Sequence, residues 1–192
     1  MYQSFQRKPC FIYDEQGLYC NNSMWIIPTD NKALLGVLNS RMGWWLITKF
    51  CSNLEGMYQL IWQYFGKIPI PKKLPKTLGT LADSMLSLHA ELQLQRKRFL
   101  ETLTDHFDGL KITGKLQHFE ELEFKQVIAE LKKQKKSPPL NKEHKWRHFF
   151  KESKRQIETI RERIRQTDPE IDRMVYALYG LTDEEIGIVN RE

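Results

Sequence analysis

The order of apolar and turn-forming residues predicts a small sheet near the start of the chain. Three short apolar runs are followed by Pro28, which ends strand pairing because it has no backbone N–H. A fourth run, residues 57–65, is rich in Tyr, Trp, Ile and Phe and follows a turn at residues 53–56, so we expect another strand there. Aromatic residues at alternate positions of that strand share one face. The early runs are residues 10–13, 18–19 and 24–27, and the aromatic residues are Tyr58, Trp62 and Tyr64.

Helical spacing predicts one buried helix inside this region and a series of helices beyond it. We expect Thr29 or Asp30 to cap the first helix, which ends near Phe50. From Thr77 a three-then-four spacing of apolar residues predicts a helix of about 30 residues, and the glycine-bounded segment 109–114 ends it. Later helices are predicted at residues 117–133, from a cap at Asn141, from Asp168-Pro169 to Gly180, and from a capping box at Thr182.

Together these patterns predict an α+β fold with two parts. The first is a small mixed α/β lobe, and the second is a long-helix region built on an antiparallel helical pair. Pro69 and Pro71 stiffen the exit from the first part. We therefore expect a recognition domain at residues 1–73 and a helical support domain, ending in short helices, at residues 74–192.

The composition is that of a globular chain, with 41% hydrophobic residues and a mean hydropathy of −0.55. No apolar run approaches the ~20 residues that a membrane helix needs, and the polar N-terminus lacks the apolar core of a signal peptide. Cys10, Cys20 and Cys51 are an odd set without C-x-x-C spacing. These features predict a cytoplasmic protein with no membrane partner, and with reduced, buried cysteines.

Positive charge is the first feature that bears on a partner. The formal net charge is +6 and the pI is about 9.2. Lysine and arginine are concentrated between Lys132 and Arg165. Such a run is typical of a solvated helix face, and it also suits contact with nucleic-acid phosphates, which release counterions when cations bind them.

Catalytic patterns are weak in this chain. His144 and His148 have the spacing of two zinc ligands on a helix, but there is no H-E-x-x-H motif and no evident third ligand. Asp108, Glu123 and Lys125 resemble the acidic and E-x-K elements of Mg²⁺-dependent nucleases, although the local sequence around Glu123 predicts a helix rather than the strand those enzymes use. A nuclease therefore stays an alternative function.

Three sequence segments carry a family resemblance. They are RKPCFIYDEQGLYCNNSMWII, then NSRMGWWLITKFCS followed by GMY and IPIPK, and finally IDRMVYALYGLTDEEIGIV. They resemble the C-terminal specificity domain of TaqI-like adenine DNA methyltransferases, which also occurs in single-chain type IIG restriction–modification enzymes. The resemblance covers residues 5–72 and 168–192, and the basic helical middle matches it more loosely.

The resemblance implies recognition of a short sequence in double-stranded DNA. A separate adenine methyltransferase domain or subunit would be the partner, and whether a nuclease is also a partner is left open. The N-P-P-Y motif and the cofactor-binding glycine motif of the methyltransferase are absent from the sequence. We therefore expect no catalysis and no cofactor in this chain. The resemblance implies that the parent enzyme uses S-adenosylmethionine, and it leaves open whether that enzyme also needs Mg²⁺. The alternative is a helical interaction subunit that docks on a methyltransferase or nuclease.

Candidate DNA contacts follow from residue type and expected loop position. Cationic side chains would hold phosphates, and polar side chains of the first lobe would contact base edges. We expect a change at Lys72 and Lys73 to weaken binding to all sequences, and a change at Asn53 or Gln59 to alter sequence preference. The full candidate set is Arg7, Lys8, Arg41, Lys49, Asn53, Tyr58, Gln59, Lys72 and Lys73.

Overall fold

A computed structural model describes residues 1–191 as the expected α+β fold, with short strands near the start and long helices after them. The elements are β1 (Tyr2–Gln3), β2 (Phe5–Gln6), β3 (Met24–Trp25), α1 (Lys32–Asn39), α2 (Arg41–Phe50), β4 (Ser52–Leu54), β5 (Met57–Gln59), α3 (Trp62–Phe65), α4 (Lys76–His106), α5 (Gly114–Gln117), a 3₁₀ turn (Phe119–Glu121), α6 (Phe124–Lys133), a second 3₁₀ turn (Leu140–Lys142), α7 (Glu143–Tyr179) and α8 (Asp183–Val189).

The chain packs as two compact units. The sheet unit comprises Met1–Met85 and Gln166–Glu192, and the helical unit comprises Leu86–Arg165. Both α4 and α7 contribute residues to each unit. The boundary expected after residue 73 stays a prediction about domains.

The strands form two antiparallel sheets, β1–β3 and β2–β5–β4. The strand expected at residues 24–27 is confirmed as Met24–Trp25. The strands expected at residues 10–13 and 18–19 were wrong, because the first forms a single bridge, from Phe11 to Tyr2, and the second forms none. Phe11 is buried against the rings of Tyr2 and Phe65. Its apolar character therefore serves ring packing rather than a strand ladder.

The strand expected at residues 57–65 was also wrong beyond Gln59. Trp62 begins the short helix α3, so Tyr58, Trp62 and Tyr64 do not share a strand face. Leu60 is fully buried and gives its N–H to the Ser4 carbonyl at 2.8 Å. The chain then turns, because the Ile61 carbonyl accepts hydrogen bonds from residues 64 and 65.

A break at Ser40 divides the single helix expected before Phe50 into α1 and α2. Ser40 is buried and caps α2 by accepting from the Gly43 N–H at 3.0 Å. A Cβ on Gly43 would lie 2.1 Å from the Val37 carbonyl oxygen, so this close crossing of backbone requires glycine. The cap of α1 is Asn31, one residue beyond the positions expected.

The C-terminal end of α7 completes the core of the sheet unit. Ile171, Val175, Tyr176 and Val189 are buried in the same cluster as the aromatic and aliphatic side chains of residues 2–78. The helix start expected at Asp168-Pro169 was wrong, since α7 passes through Pro169 without interruption. Apolar side chains are buried on both sides of the proline, and this packing outweighs the lost backbone hydrogen bond. The expected end at Gly180 and the capping box at Thr182 are confirmed.

The helical unit contains the expected antiparallel pair, formed by parts of α4 and α7. The contacts show the antiparallel direction, because later residues of α4 meet earlier residues of α7. Glu91 pairs with Arg163, Phe99 contacts Phe150, and Phe107 contacts Trp146. The 31-residue α4 matches the expected length. The helix expected at residues 117–133 is instead α5, a 3₁₀ turn and α6, because a capping box at Glu123 starts α6 anew.

A buried carboxylate organises the middle of this unit. The Glu120 side chain is 1% exposed, and one of its oxygens accepts hydrogen bonds from Arg96 Nε at 2.9 Å and from an Arg161 Nη at 2.8 Å. The second carboxylate oxygen is buried without a hydrogen-bond partner among residues 1–191. Removing the buried carboxylate or a guanidinium group would therefore leave an uncompensated charge in the interior.

The cysteines differ in exposure, and the expectation that all three are buried was wrong. Cys10 is exposed, Cys20 is half-buried, and Cys51 is buried. Burial raises the pKa of the Cys51 thiol to about 11. Because the unfolded chain would lose this proton at lower pH, the contribution of Cys51 to stability falls as pH rises from about 9 to about 11.

We expect a thiol-alkylating reagent at pH 8 to modify Cys10 rapidly and Cys51 only after unfolding. The thiolate is the nucleophile, and Cys51 is both inaccessible and protonated at that pH. Peptide mass spectrometry over a time course, with and without denaturant, measures the two rates. Equal rates in the folded protein would contradict the buried position.

Among residues 1–191, every helix is too short or too polar to cross a lipid bilayer.

Candidate nucleic-acid interface

The three-stranded sheet turns one face to the core. Tyr58 on the central strand lies between Gln6 and Asn53 in the antiparallel register, so the three side chains share a face. Gln6 is 3% exposed, and the Tyr58 ring makes a T-shaped contact with Trp44 at 5.4 Å between centroids. This face is therefore the inner one, and Tyr58 contributes to packing there; a DNA contact by Tyr58 stays a prediction.

The opposite face is partly open to solvent: Phe5 and Leu54 are exposed, and Ser52, Met57 and Gln59 are half-buried. It carries Gln59 on the central strand between Phe5 and Ser52, and also Leu54 opposite Met57. Phe5 and Leu54 are 41% and 47% exposed, which is unusual for large apolar side chains on a sheet. We call these five residues the outer sheet face.

The outer sheet face combines groups that suit DNA bases. The carboxamide of Gln59 can donate one hydrogen bond and accept another, as the N6 and N7 positions of adenine require. The exposed carbons of Phe5 and Leu54 suit the methyl group of thymine. The central position of Gln59 fixes its backbone from both sides.

A tight hairpin connects β4 to β5 at the edge of this sheet. Its two turn residues, Glu55 and Gly56, have φ values of 51° and 80°, as a type I′ turn requires. The Asn53 side-chain oxygen accepts a hydrogen bond from the Gly56 N–H at 3.1 Å. Asn53 thus helps to build the turn, and its contact with a base stays a prediction.

Five of the lysines and arginines expected to contact phosphates are exposed, either next to the strands of the sheet or in the segment before α4. Arg7 and Lys8 directly follow β2, and Lys49 lies in the last turn of α2 before β4. The Lys49 ammonium group lies 5.4 Å from the centre of the Trp45 ring. Lys72 and Lys73 lie in the exposed segment between α3 and α4. Phosphate contacts by these five residues stay predictions.

Comparison with known families identifies both halves of the chain. Residues 1–70 match the TaqI-like C-terminal specificity domain, and residues 71–175 match the Domain of unknown function (DUF8810). The chain belongs to the DUF8810 family and begins with a TaqI-like specificity domain. No curated protein and no solved structure matches the chain.

The TaqI-like specificity domain indicates DNA sequence specificity in a restriction–modification context. The outer sheet face lies within this domain, as do all the candidate contacts except Lys72 and Lys73. The tail after residue 175 lies outside both family matches, so its resemblance to the end of these enzymes stays a prediction.

Arg41 of the specificity domain binds two side chains near the C-terminus, those of Asp172 and Asn190. Its backbone N–H donates to Asp172 at 2.9 Å, its Nε lies 3.3 Å from the same carboxylate, and an Nη donates to Asn190 at 3.2 Å. Burial raises the pKa of Asp172, and the hydrogen bond and charge of Arg41 oppose that rise. Arg41 thus has a structural role, and a DNA contact by it stays a prediction.

Sequence inspection missed several exposed apolar residues of the specificity domain. Phe5 and Leu54 lie on strands of two and three residues, too short to reveal an alternating pattern. Leu18 and Tyr19 are 53% and 101% exposed in a loop whose turn is held by Asp14. Their apolar character suggested a strand, and only the fold reveals that they face solvent.

Neither the histidines at 144 and 148 nor the carboxylates at 108 and 123 belong to a possible metal-binding group of three or more ligands among residues 1–191. The potential metal-binding group found among residues 1–191 is His118, Glu120 and Glu121. Two guanidinium groups already bind Glu120, and their positive charge opposes a cation there. Glu123 instead caps α6 and pairs with Lys154 at 3.4 Å, in a helical context as expected.

Proposed function

We propose that this chain selects the DNA target sequence of an N6-adenine DNA methyltransferase in a type IIG-like restriction–modification system. The specificity domain would read bases, and a methyltransferase domain or subunit would bind S-adenosylmethionine and transfer the methyl group. In this proposal the chain itself holds no catalytic group. Mg²⁺ would be required only by a nuclease activity of the partner.

The outer sheet face is the observation that carries this proposal. A β-ribbon can enter the major groove, where each base pair displays a distinct pattern of donors and acceptors. Gln59 lies on β5, which forms a two-stranded hairpin with β4, and it has Ser52 beside it and the exposed Phe5 and Leu54 nearby. Arg7, Lys8 and Lys49 would bind the flanking phosphates, which fix register but do not select sequence.

Phosphate contacts would extend beyond the sheet to the segment before α4. Lys72 and Lys73 are exposed there. In this proposal, replacing both by alanine weakens binding to every duplex alike.

We expect Gln59→Ala to reduce sequence preference while leaving non-specific affinity unchanged. A bidentate contact to a base contributes about 1–3 kcal/mol of discrimination, or roughly 5- to 150-fold. The measurement is enrichment of sequences from a randomised duplex pool by the wild-type chain and by the variant. One base position should lose its preference, and the rest of the motif should persist.

Gln63→Ala is the matched control, because Gln63 is an exposed glutamine of the same domain that lies on α3 rather than on the sheet. Thermal unfolding of both variants verifies that the fold is kept. If Gln59→Ala and Gln63→Ala enrich the wild-type motif equally, the outer sheet face does not read that sequence.

A further inference from the structure

The positive charge of the chain belongs to the helical unit rather than to the unit that contains the specificity domain. Residues 86–165 contain 19 lysines and arginines against 12 aspartates and glutamates, a surplus of seven. Residues 1–85 and 166–192 contain 11 against 12 and thus carry a slight negative charge. Attraction between cations and phosphates dominates DNA affinity, so the sheet unit by itself lacks the net charge that favours DNA.

Most arginines of the helical unit are neutralised within the protein. Arg155 pairs with Glu152, and Arg165 pairs with both Glu158 and Glu162. These ion pairs, like those of Arg96 and Arg161 with Glu120, leave less free charge for a ligand. The surplus therefore lies with the lysines.

Five exposed lysines gather at one end of the unit, where α4 ends, α6 ends and α7 begins. The segment after α4 contacts α7 through Phe107 and Trp146, whose rings lie 5.2 Å apart. It contacts α6 through two hydrogen bonds between the Gln134 side chain and the Lys111 backbone, each of 2.9 Å. We call this surface the lysine end; it consists of Lys111, Lys132, Lys135, Lys142 and Lys145.

The lysine end has no acidic partner inside the described chain. None of its five ammonium groups forms an ion pair with another residue among 1–191. Two acidic residues on the same helices are already occupied, because Glu130 pairs with Lys133, and Glu143 pairs with Arg147. The lysine end is thus available to an external anion.

Lys135 occupies a backbone position that normally favours glycine. Its φ is 58°, and it ends α6 with the hydrogen bonds of a Schellman motif, from Lys135 N–H to Lys132 and from Lys136 N–H to Leu131. Gly180 has the equivalent place at the end of α7, with φ of 66°. A side chain in this conformation costs about 1 kcal/mol, so Lys135 occupies this position at a conformational penalty.

We propose that the lysine end of the helical unit binds the phosphate backbone of duplex DNA without regard to sequence. This proposal rests on the proposed function only in taking DNA as the ligand. Lysines act as flexible point charges, which suits a regular array of phosphates better than one defined anion. The helical unit would supply affinity, and the specificity domain would supply discrimination.

The test is equilibrium binding of the full chain to a duplex of arbitrary sequence over a range of NaCl concentrations. Each phosphate contact contributes about 0.9 to the slope of log affinity against log salt. We expect Lys132→Gln with Lys142→Gln to reduce that slope by about 1.8, and to weaken binding at 0.1 M salt by roughly fivefold or more for each lysine.

Arg98→Gln with Lys125→Gln is the matched control. Both residues are exposed cations of the same unit. Lys125 lies at the start of α6 and Lys135 just after its end, about 15 Å apart along the helix axis. The control removes the same charge from other positions. An equal loss of slope in the control would mean that only net charge matters, and it would overturn the assignment to this surface.

Lys135→Gly separates binding from folding. Glycine relieves the backbone strain, so thermal stability should rise while the salt slope falls by about 0.9. A stabilised variant with wild-type binding would remove Lys135 from the surface. A destabilised variant would contradict the strain argument.

The outcomes also distinguish this proposal from the proposed function. A wild-type salt slope in the lysine variants overturns the lysine end even if sequence preference is intact. A reduced slope in a chain that shows no sequence preference supports the lysine end and contradicts the proposed function. If polyglutamate of equal charge competes as well as duplex DNA, the surface fits acidic proteins and the proposal of DNA is wrong.

Discussion

A chain that ends at Arg165 is expected to lose the fold of the sheet unit, although the match to the specificity domain covers residues 1–70 alone. The deletion removes Ile171, Val175, Tyr176 and Val189 from the core. Burial of such a side chain contributes about 1.5–3 kcal/mol. The sum is comparable with the whole stability of a typical domain, about 5–15 kcal/mol. Amide chemical-shift dispersion for residues 1–85 measures the effect.

Point variants test the same dependence without removing residues. Val175 is fully buried, so Val175→Asp places an unpaired charge in the core and should cost several kcal/mol. Ala177→Asp is the control, since it adds the same charge at an exposed position of the same helix. Native dispersion in the Val175→Asp variant would show that the tail is not needed by the specificity domain.

The second large effect is expected in the helical unit, at the carboxylate that holds two arginines. Glu120→Ala should lower the free energy of unfolding by about 3–5 kcal/mol, because it leaves the partly buried Arg96 without its carboxylate and leaves Arg161 with only the exposed Glu121. Glu120→Gln should cost less, since its amide oxygen still accepts one hydrogen bond. Chemical denaturation followed by circular dichroism gives both values.

Glu121→Gln is the appropriate comparison. Glu121 is the next residue, its side chain is 60% exposed, and it pairs with the same Arg161 at 3.3 Å. An exposed pair of this kind contributes only about 0–1 kcal/mol. Equal effects at positions 120 and 121 would mean that burial does not decide the strength of this network.

These two predictions concern the stability of the sheet unit and of the helical unit separately. The tail stabilises the unit that presents the outer sheet face, through core packing and through the contacts of Asp172 and Asn190 with Arg41. The Glu120 network stabilises the helical unit, on which the lysine end lies. Loss of DNA binding in either variant would therefore require a test of folding before it is assigned to a contact.

Local patterns predicted the long elements well and the short ones poorly. The 31 residues of α4 contain enough turns for apolar periodicity to be evident, and Thr182 has a complete capping box. The strands contain two or three residues each, so no alternating pattern can emerge. Pro169 was misleading, because its local preference for a helix start is overridden by burial on both sides.

The sequence could not decide on which face of the sheet each candidate residue lies, for a related reason. Gln59 was selected from its residue type, and the register of the sheet places it on the outer sheet face. Tyr58, one residue earlier, was selected on the same grounds, yet it packs against Trp44 on the inner face. Adjacent residues of a strand point to opposite faces, and only the pairing with other strands decides which face is covered.

By itself, the sequence determined the class of fold, the two kinds of segment and the specificity-domain family, since composition, helical periodicity and family motifs are properties of the chain order. Only the tertiary structure decided that residues far apart, such as Val37 and Val175, share one core. It also decided that the segments that carry Lys111, Lys132 and Lys142 lie at one end of the helical unit. Burial and charge proximity depend on distances in space, and for residues distant in sequence those distances exist only after the chain has folded.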